Sequence, residues 1–392
     1  MPNVMDYLEW RGDLTFAESP LCEVDNLIFC LLSYVELDGI VPADCVGGIT
    51  LRAAAAEYFF SHVEHRERPL GLILSADILT LFKRMAHTRR FRDLILTNYT
   101  SELSEERETQ FAALTLRIPE EGMFVAFRGT DDTLVGWKED FNLFCMNEIP
   151  SQRRATAYLN ELDIPPDTTL YVGGHSKGGN LAVWSAVHAE ERIRRVIRRV
   201  YSNDGPGFSE GTVDSEAYKT LSDRIRVILP EDSLVGLLLD RDPCYTVIKS
   251  SRRGLAQHDG LSWEVLGGQF IRADGLSATG IRNDTVIRER IDSMTSEERL
   301  DFIRLMFTLL ESTGAKTLTE LHQGRFKTVL TALKAFRDMS EKDQETASYL
   351  WDKLVGTRRS EAPPIHRPPK RDPRSSAPKG RIRVSLFPLL LP

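Results

Sequence analysis

Tyr171-Val172-Gly173-Gly174-His175-Ser176-Lys177-Gly178-Gly179-Asn180 is the stretch on which the reading of the chain turns. Leu170-Tyr171-Val172 is an apolar, strand-like run preceded by Pro165-Pro166, and Leu181-Ala182-Val183-Trp184 continues as a helix. Between them, Gly174-His175-Ser176-Lys177-Gly178 fits G-x-S-x-G, the spacing of a nucleophile elbow. A serine on such a strained turn stands clear of the backbone. Glycine two residues to either side leaves room for the turn against the neighbouring strand. The helix that begins there aims its free N–H groups and the positive end of its dipole at the turn, where an oxyanion could develop.

Working outward, helices flank a strand-rich middle. The first ninety residues read as mostly helical, with apolar faces at Leu27, Ile28, Leu31 and Leu32 and again at Ile78, Leu79 and Phe82 behind Ser75, an expected N-cap. Leu94–Leu103, Phe111–Ile118 and Met123–Phe127 read as strands, the first two joined by the turn Ser104-Glu105-Glu106-Arg107. Strands then alternate with helices: Ser151–Leu162 helical, Thr169–Val172 extended, and Lys177 to about Glu190 helical. Val196–Ser202, Ile225–Leu229 and Tyr245–Lys249 are extended, with a helix over Ser215–Ser222. The alternation predicts βαβ units and an α/β fold with a largely parallel central sheet. In such a sheet functional residues gather at the carboxyl ends of the strands.

The expected organisation is a helical segment over 1–90 packed on the core, an α/β core over 91–282 and a helical extension over 283–357. A basic, Pro-rich disordered tail over 358–392 completes it.

A serine nucleophile requires a base, an orienting acid and oxyanion donors. His258 lies in a loop after the strand at Tyr245–Lys249 and is the only histidine between His188 and His322. His188 lies three turns along the elbow helix, about 18 Å from Ser176 at 1.5 Å per residue. Chain order therefore selects His258 as base. Asp232, after the strand Ile225–Leu229, is the expected acid. Its neighbour Glu231 and the earlier Asp204 are alternatives, Asp204 reading otherwise as the cap of its own turn. The backbone N–H of Lys177 and that of Thr130, in the loop Phe127-Arg128-Gly129-Thr130, are the expected oxyanion donors.

Phe127-Arg128-Gly129-Thr130, Trp137 with Asp140, and Gly173-Gly174-His175-Ser176-Lys177-Gly178-Gly179 resemble the class 3 (fungal-type) lipases. More closely, the chain to about residue 275 is similar to an uncharacterised bacterial family of lipase-like α/β-hydrolases. The marks of that similarity include Asp6-Tyr7-Leu8-Glu9-Trp10-Arg11-Gly12-Asp13, Leu32-Ser33-Tyr34, Tyr201-Ser202-Asn203-Asp204-Gly205-Pro206-Gly207-Phe208 and Gln257-His258-Asp259. The resemblance implies an α/β-hydrolase fold and a serine nucleophile, and supplies no substrate. Two departures stand out. Lys177 replaces the apolar residue that lipases place after the nucleophile. Its side chain either favours an anionic acyl or phosphate-bearing substrate or points away, leaving only its N–H in use. The pair Asp131-Asp132 argues against a purely apolar pocket mouth.

The expected activity is cleavage of a carboxylic ester, a lipid among the candidate substrates, with no metal or cofactor. The competing expectations are an inactive scaffold that binds a partner and an acyltransferase or thioesterase. The 392-residue chain carries a net charge of −7, against the basic footprint nucleic acid demands. Its five scattered cysteines include no C-x-x-C pair, which argues against a zinc site or a disulfide framework. With neither a signal-peptide pattern nor a run of about 20 apolar residues, the expectation is a cytoplasmic protein with no transmembrane segment. A protein partner for the tail is left open.

Overall fold

The computed structural model describes residues 1–62, 77–165, 167–209, 211–242 and 244–355. Ser75 and the tail over 358–392 lie outside the described residues. The chain opens with helices α1 (Val4–Arg11) and α2 (Glu23–Leu32), a short strand β1 (Ile49–Thr50), then α3 (Leu51–Ser61) and α4 (Asp77–Met85). Strands β2 (Ile95–Ser104), β3 (Thr109–Ile118) and β4 (Gly122–Phe127) follow, then α5 (Leu134–Asn142) and α6 (Pro150–Glu161). The elbow region comprises β5 (Leu170–His175), α7 (Lys177–His188), α8 (Glu191–Val196) and β6 (Ile197–Asn203). Beyond it come α9 (Glu216–Leu221), β7 (Ile225–Pro230), β8 (Tyr245–Ile248) and a small hairpin, β9 (Val265–Leu266) with β10 (Gln269–Phe270). Helices α10 (Ala278–Asp292), α11 (Ser296–Glu311), α12 (Leu318–Asp338) and α13 (Glu341–Val355) complete the described chain.

The main sheet runs β1 to β8 in sequence order. The pairs from β1 to β4 are antiparallel, and β4 through β8 are joined in parallel. The crossover helices α6 to α9 cover one face of the parallel half and the N-terminal helices α1, α2 and α4 cover the other, the layering of an α/β-hydrolase fold.

Alternate residues of the strands serve opposite layers, as the two-residue period of a strand dictates. Leu114, Leu116, Phe124, Ala126 and Tyr171 pack with α1, α2 and α4 in one core. Phe111, Ala113, Met123, Val125, Phe127 and Val172 pack with α6 and α7 in the other. Strands covered on both faces read as continuous apolar runs, hence the lack of polar alternation in β3 and β4. A third, smaller core joins Leu134 of α5 to Ile303, Phe307 and Leu310 of α11 and to Leu318 of α12.

Strand ends meet at the carboxyl edge of the parallel strands. Ser176 follows β5, Asp204 follows β6, and His258 lies in the loop after β8. Thr130 follows β4 at the same edge. The parallel register, Phe127 beside Gly174 and His175 beside Asn203, sets these ends side by side.

Candidate active site

Ser176 has φ +59° and ψ −135°, a backbone conformation L-residues avoid, and it persists only where its surroundings fix it. Here the Ser176 N–H donates to the Asn203 carbonyl at 3.0 Å, and its own carbonyl accepts from Gly179 N–H at 2.8 Å. The flanking glycines are steric requirements. A Cβ on Gly174 would fall 2.0 Å from the Gly178 carbonyl, and one on Gly178 would fall 2.2 Å from the Phe127 carbonyl oxygen. Asn203, 0% exposed, further braces the turn by donating from Nδ2 to the Gly174 carbonyl at 3.1 Å.

His258 is buried, and its Nδ1 lies 2.7 Å from Asp204 Oδ2. The carboxylate accepts, so Nδ1 bears the hydrogen and Nε2 is left as the basic nitrogen. Asp204 is itself held. It is fully buried with φ +50°, and its Oδ1 accepts from the Ser233 hydroxyl at 2.5 Å and from Gly236 N–H at 3.2 Å.

The expectation that Asp232 partners the base is thereby corrected. Asp232 Oδ2 accepts from Gly254 N–H at 3.0 Å and Gln257 Nε2 at 3.1 Å, while Oδ1 accepts from the Ser277 hydroxyl. It knits together the loop that presents His258 and leaves the imidazole to Asp204. Glu231 contributes backbone bonds, its N–H to the Ile248 carbonyl and its carbonyl to Ser277 N–H. Asp204 was readable as a turn residue. That its turn faces a loop 54 residues downstream is a property of the sheet order.

Lys177 opens α7, so its N–H has no acceptor within the helix. Its side chain runs inward, 1% exposed. The ammonium donates to the Gln110 carbonyl at 2.8 Å, to Gln110 Oε1 at 2.7 Å and to Glu139 Oε2 at 2.8 Å. Of the two readings of Lys177, the side chain thus takes the one that points away, and it greets no anionic substrate.

The Thr130 loop abuts the elbow: a Cβ on Gly129 would lie 3.0 Å from the Ser176 Cβ. The Thr130 hydroxyl donates to Asp140 Oδ2. The other oxygen, Oδ1, is buried and lacks a hydrogen-bond partner among the described residues. Burial pushes the Asp140 carboxyl up to about 6 against the pull of Lys177. Of the acidic pair, Asp131 Oδ1 accepts from the Thr133 N–H and hydroxyl, at 2.9 and 2.5 Å. Asp132 reaches the other way, its carbonyl accepting from Leu318 N–H at 2.9 Å and its Oδ2 from Thr319 N–H at 3.1 Å.

Among the described residues no group of three or more His, Cys, Asp or Glu is arranged to hold a metal ion, and no helix is long and apolar enough to cross a membrane.

A strained serine at the head of α7, a buried pair of Asp204 after β6 and His258 in the loop after β8, and the α/β sheet beneath them define a class, the lipase-like α/β-hydrolases. Within it the chain belongs to the Mbeg1-like family, whose model matches residues 85–308, more than half its length. Comparison with curated proteins gives no match. Among solved structures, lipase II from Rhizopus niveus is 13% identical, with a TM-score of 0.31 over 41% of this chain and 66% of that one. The M37 lipase is 16% identical, with 0.32 over 54% and 68%. The Rhizomucor miehei lipase propeptide complex is 13% identical, with 0.30 over 57% and 67%. The chain thus spans about two thirds of each of these lipases.

Proposed function

We propose that the protein is a serine hydrolase of the lipase/esterase type that cleaves a carboxylic ester through an acyl-enzyme on Ser176. The observation that carries the reading is the buried bond of 2.7 Å from His258 Nδ1 to Asp204, with the His258 ring centre 4.6 Å from that of His175, the residue before the strained serine. Ser176 Oγ attacks the ester carbonyl carbon while His258 Nε2 takes the hydroxyl proton. Asp204 fixes the tautomer and stabilises the imidazolium as it forms. The backbone N–H groups of Lys177 and Thr130 receive the oxyanion, with the Thr130 side chain anchored on Asp140. As the tetrahedral intermediate collapses, the C–O bond to the alcohol breaks and His258 returns the proton to the leaving oxygen. Water, deprotonated by the same Nε2, then attacks the acyl carbon. The acid is released and Ser176 recovers its proton.

Hydrolysis of a p-nitrophenyl ester series by the wild type and by Ser176→Ala tests this. The expected result is turnover of at least one chain length by the wild type and loss of about 10³-fold or more in the variant. Equal background rates for the two folded proteins across the series would refute it.

A further inference from the structure

The elbow holds a second buried imidazole that the mechanism above does not use. His175, 1% exposed, is the last residue of β5. Its Nε2 lies 2.7 Å from the carbonyl oxygen of His258, and its Nδ1 lies 3.1 Å from the hydroxyl of Tyr34, itself 3% exposed. The ring sits 4.6 Å from the His258 ring, centre to centre, tilted by 36°.

These contacts fix the tautomer. A carbonyl can only accept, so Nε2 bears the hydrogen. In the neutral ring Nδ1 then offers a lone pair, and the single Tyr34 hydroxyl hydrogen is shared between it, at 3.1 Å, and the His175 carbonyl oxygen, at 3.3 Å. Burial, aided by the charge of His258, holds His175 down to about 3, so the ring stays neutral at ordinary pH and is not a proton carrier.

We propose that His175, held as the Nε2–H tautomer between the His258 carbonyl and Tyr34, is a positioning residue that ties the backbone of His258 to the strand carrying Ser176. The proposal rests on the reading of Ser176 and His258 as nucleophile and base. The two belong to different strand ends, 82 residues apart in the chain. Asp204 holds one edge of the base's ring. The turn Gly254–His258 that carries the ring exposes Leu255 and is held from the β7 side by Asp232, so the His175 bond adds a direct tie from β5 to the base's main chain. The bond from His175 makes the residue before the nucleophile the partner of the base's main chain. Any shift of β5 then carries Ser176 and His258 together. Misplacement of a reacting group by about 1 Å costs on the order of 10²-fold in rate, which sets the size of the expected effect.

The test pairs kinetics with nitrogen-15 NMR of histidine-labelled protein. His175→Phe keeps an aromatic ring, somewhat larger than imidazole, and removes the donor; it is expected to lower kcat for the ester by about 10²-fold while KM stays within about twofold. His175→Gln places an amide donor where Nε2 stood and is expected to recover about tenfold of that loss. In the wild type the His175 resonances are expected to show a protonated Nε2 and a bare Nδ1, unchanged between about pH 5 and 8. Should His175→Phe not fold, His175→Asn, whose amide is too short to reach the His258 carbonyl, serves instead: a kcat loss like that of His175→Gln would overturn the tether, and a larger one supports it. A protonated Nδ1 in the wild type, or equal kcat losses in folded His175→Phe and His175→Gln, would overturn the tether. Should the wild type hydrolyse no ester, the functional reading fails by itself. The NMR arm still decides the tether, through whether the His258 Nδ1–H resonance survives in His175→Phe.

Discussion

At the scale of single residues, the division of labour between two aspartates is the sharpest outcome. Asp204 holds the imidazole, and Asp232 holds the loop that delivers it. Asp204→Asn should therefore lower kcat by about 10³–10⁴-fold, because the amide no longer enforces the tautomer that leaves Nε2 basic. Asp232→Asn keeps an acceptor for Gly254 N–H and is expected to cost about tenfold or less. Steady-state kinetics of both variants on one ester checks the order, and the reverse order would restore Asp232 as the acid. Ser176 was legible in the sequence because glycines at fixed offsets leave a steric imprint. Asp204 was legible only as an alternative to Asp232, because Asn203-Asp204-Gly205 looks the same whether it caps a turn or orients a base. The buried titratable groups also set a pH dependence. Folding lowers His175 from its ordinary 6.5 to about 3, so below about 6.5 the unfolded chain binds a proton the folded chain refuses. Stability from this group is complete above that pH and is lost as pH falls towards 3. Folding raises Asp140 from 3.8 to about 6, which has the opposite sign: the folded chain binds the extra proton and gains stability as pH falls from 6 to 4. Chemical denaturation of His175→Gln against the wild type should show a shallower stability loss between about pH 6 and 4 in the variant.

At the scale of elements, α5 links the loop of Thr130, the proposed oxyanion donor, to the core. It starts three residues beyond Asp131 and brings Glu139 under the Lys177 ammonium and Asp140 to the Thr130 hydroxyl. Asp140→Ala strands that hydroxyl and frees the loop. The expected outcome is a fall of about 10²-fold in kcat with the far-ultraviolet circular dichroism unchanged, which an ester assay and a spectrum together check. Strands β2 to β4 and β6 to β8 were legible, since apolar runs bounded by turn residues leave little freedom in reading them. Helix α5 was not. It is short, carries Gly136 inside it, and gains its stability from packing Leu134 and Phe141 against α11 rather than from propensity. The last residues of β5 were likewise hidden, because Gly173-Gly174 is a poor strand former that the register with β4 and β6 holds extended.

At the scale of the molecule, both ends of the described chain bear on the site. The N-terminal helices share one core with the sheet, locked by a buried pair in which Arg90 donates from Nε and Nη2 to Asp25 at 2.8 and 2.6 Å. Tyr7 adds its hydroxyl to the same carboxylate at 2.8 Å. Asp25→Ala leaves a buried guanidinium unpaired and is expected to cost about 3–5 kcal/mol, read from urea denaturation. The C-terminal helices clamp the loop beyond Thr130. Leu134 N–H donates to the Lys316 carbonyl, Leu318 N–H donates to the Asp132 carbonyl, and Phe307 packs beside Leu134. Phe307→Ala is expected to cost about 3–5 kcal/mol and to lower kcat as well, since the loosened clamp reaches the oxyanion loop. Unchanged kcat in the folded variant would separate the helical extension from catalysis. Helical periodicity marked this extension in the sequence, but its hold on residues 132–134 is a tertiary pairing that no local pattern carries.

The most direct measurement is fluorophosphonate labelling of the full chain, with the adduct located by mass spectrometry of the digested protein. The account predicts one adduct, on Ser176, formed at a rate that drops sharply in Asp204→Asn and vanishes in Ser176→Ala. A folded wild type that takes no label, or that takes it on another residue, would contradict it.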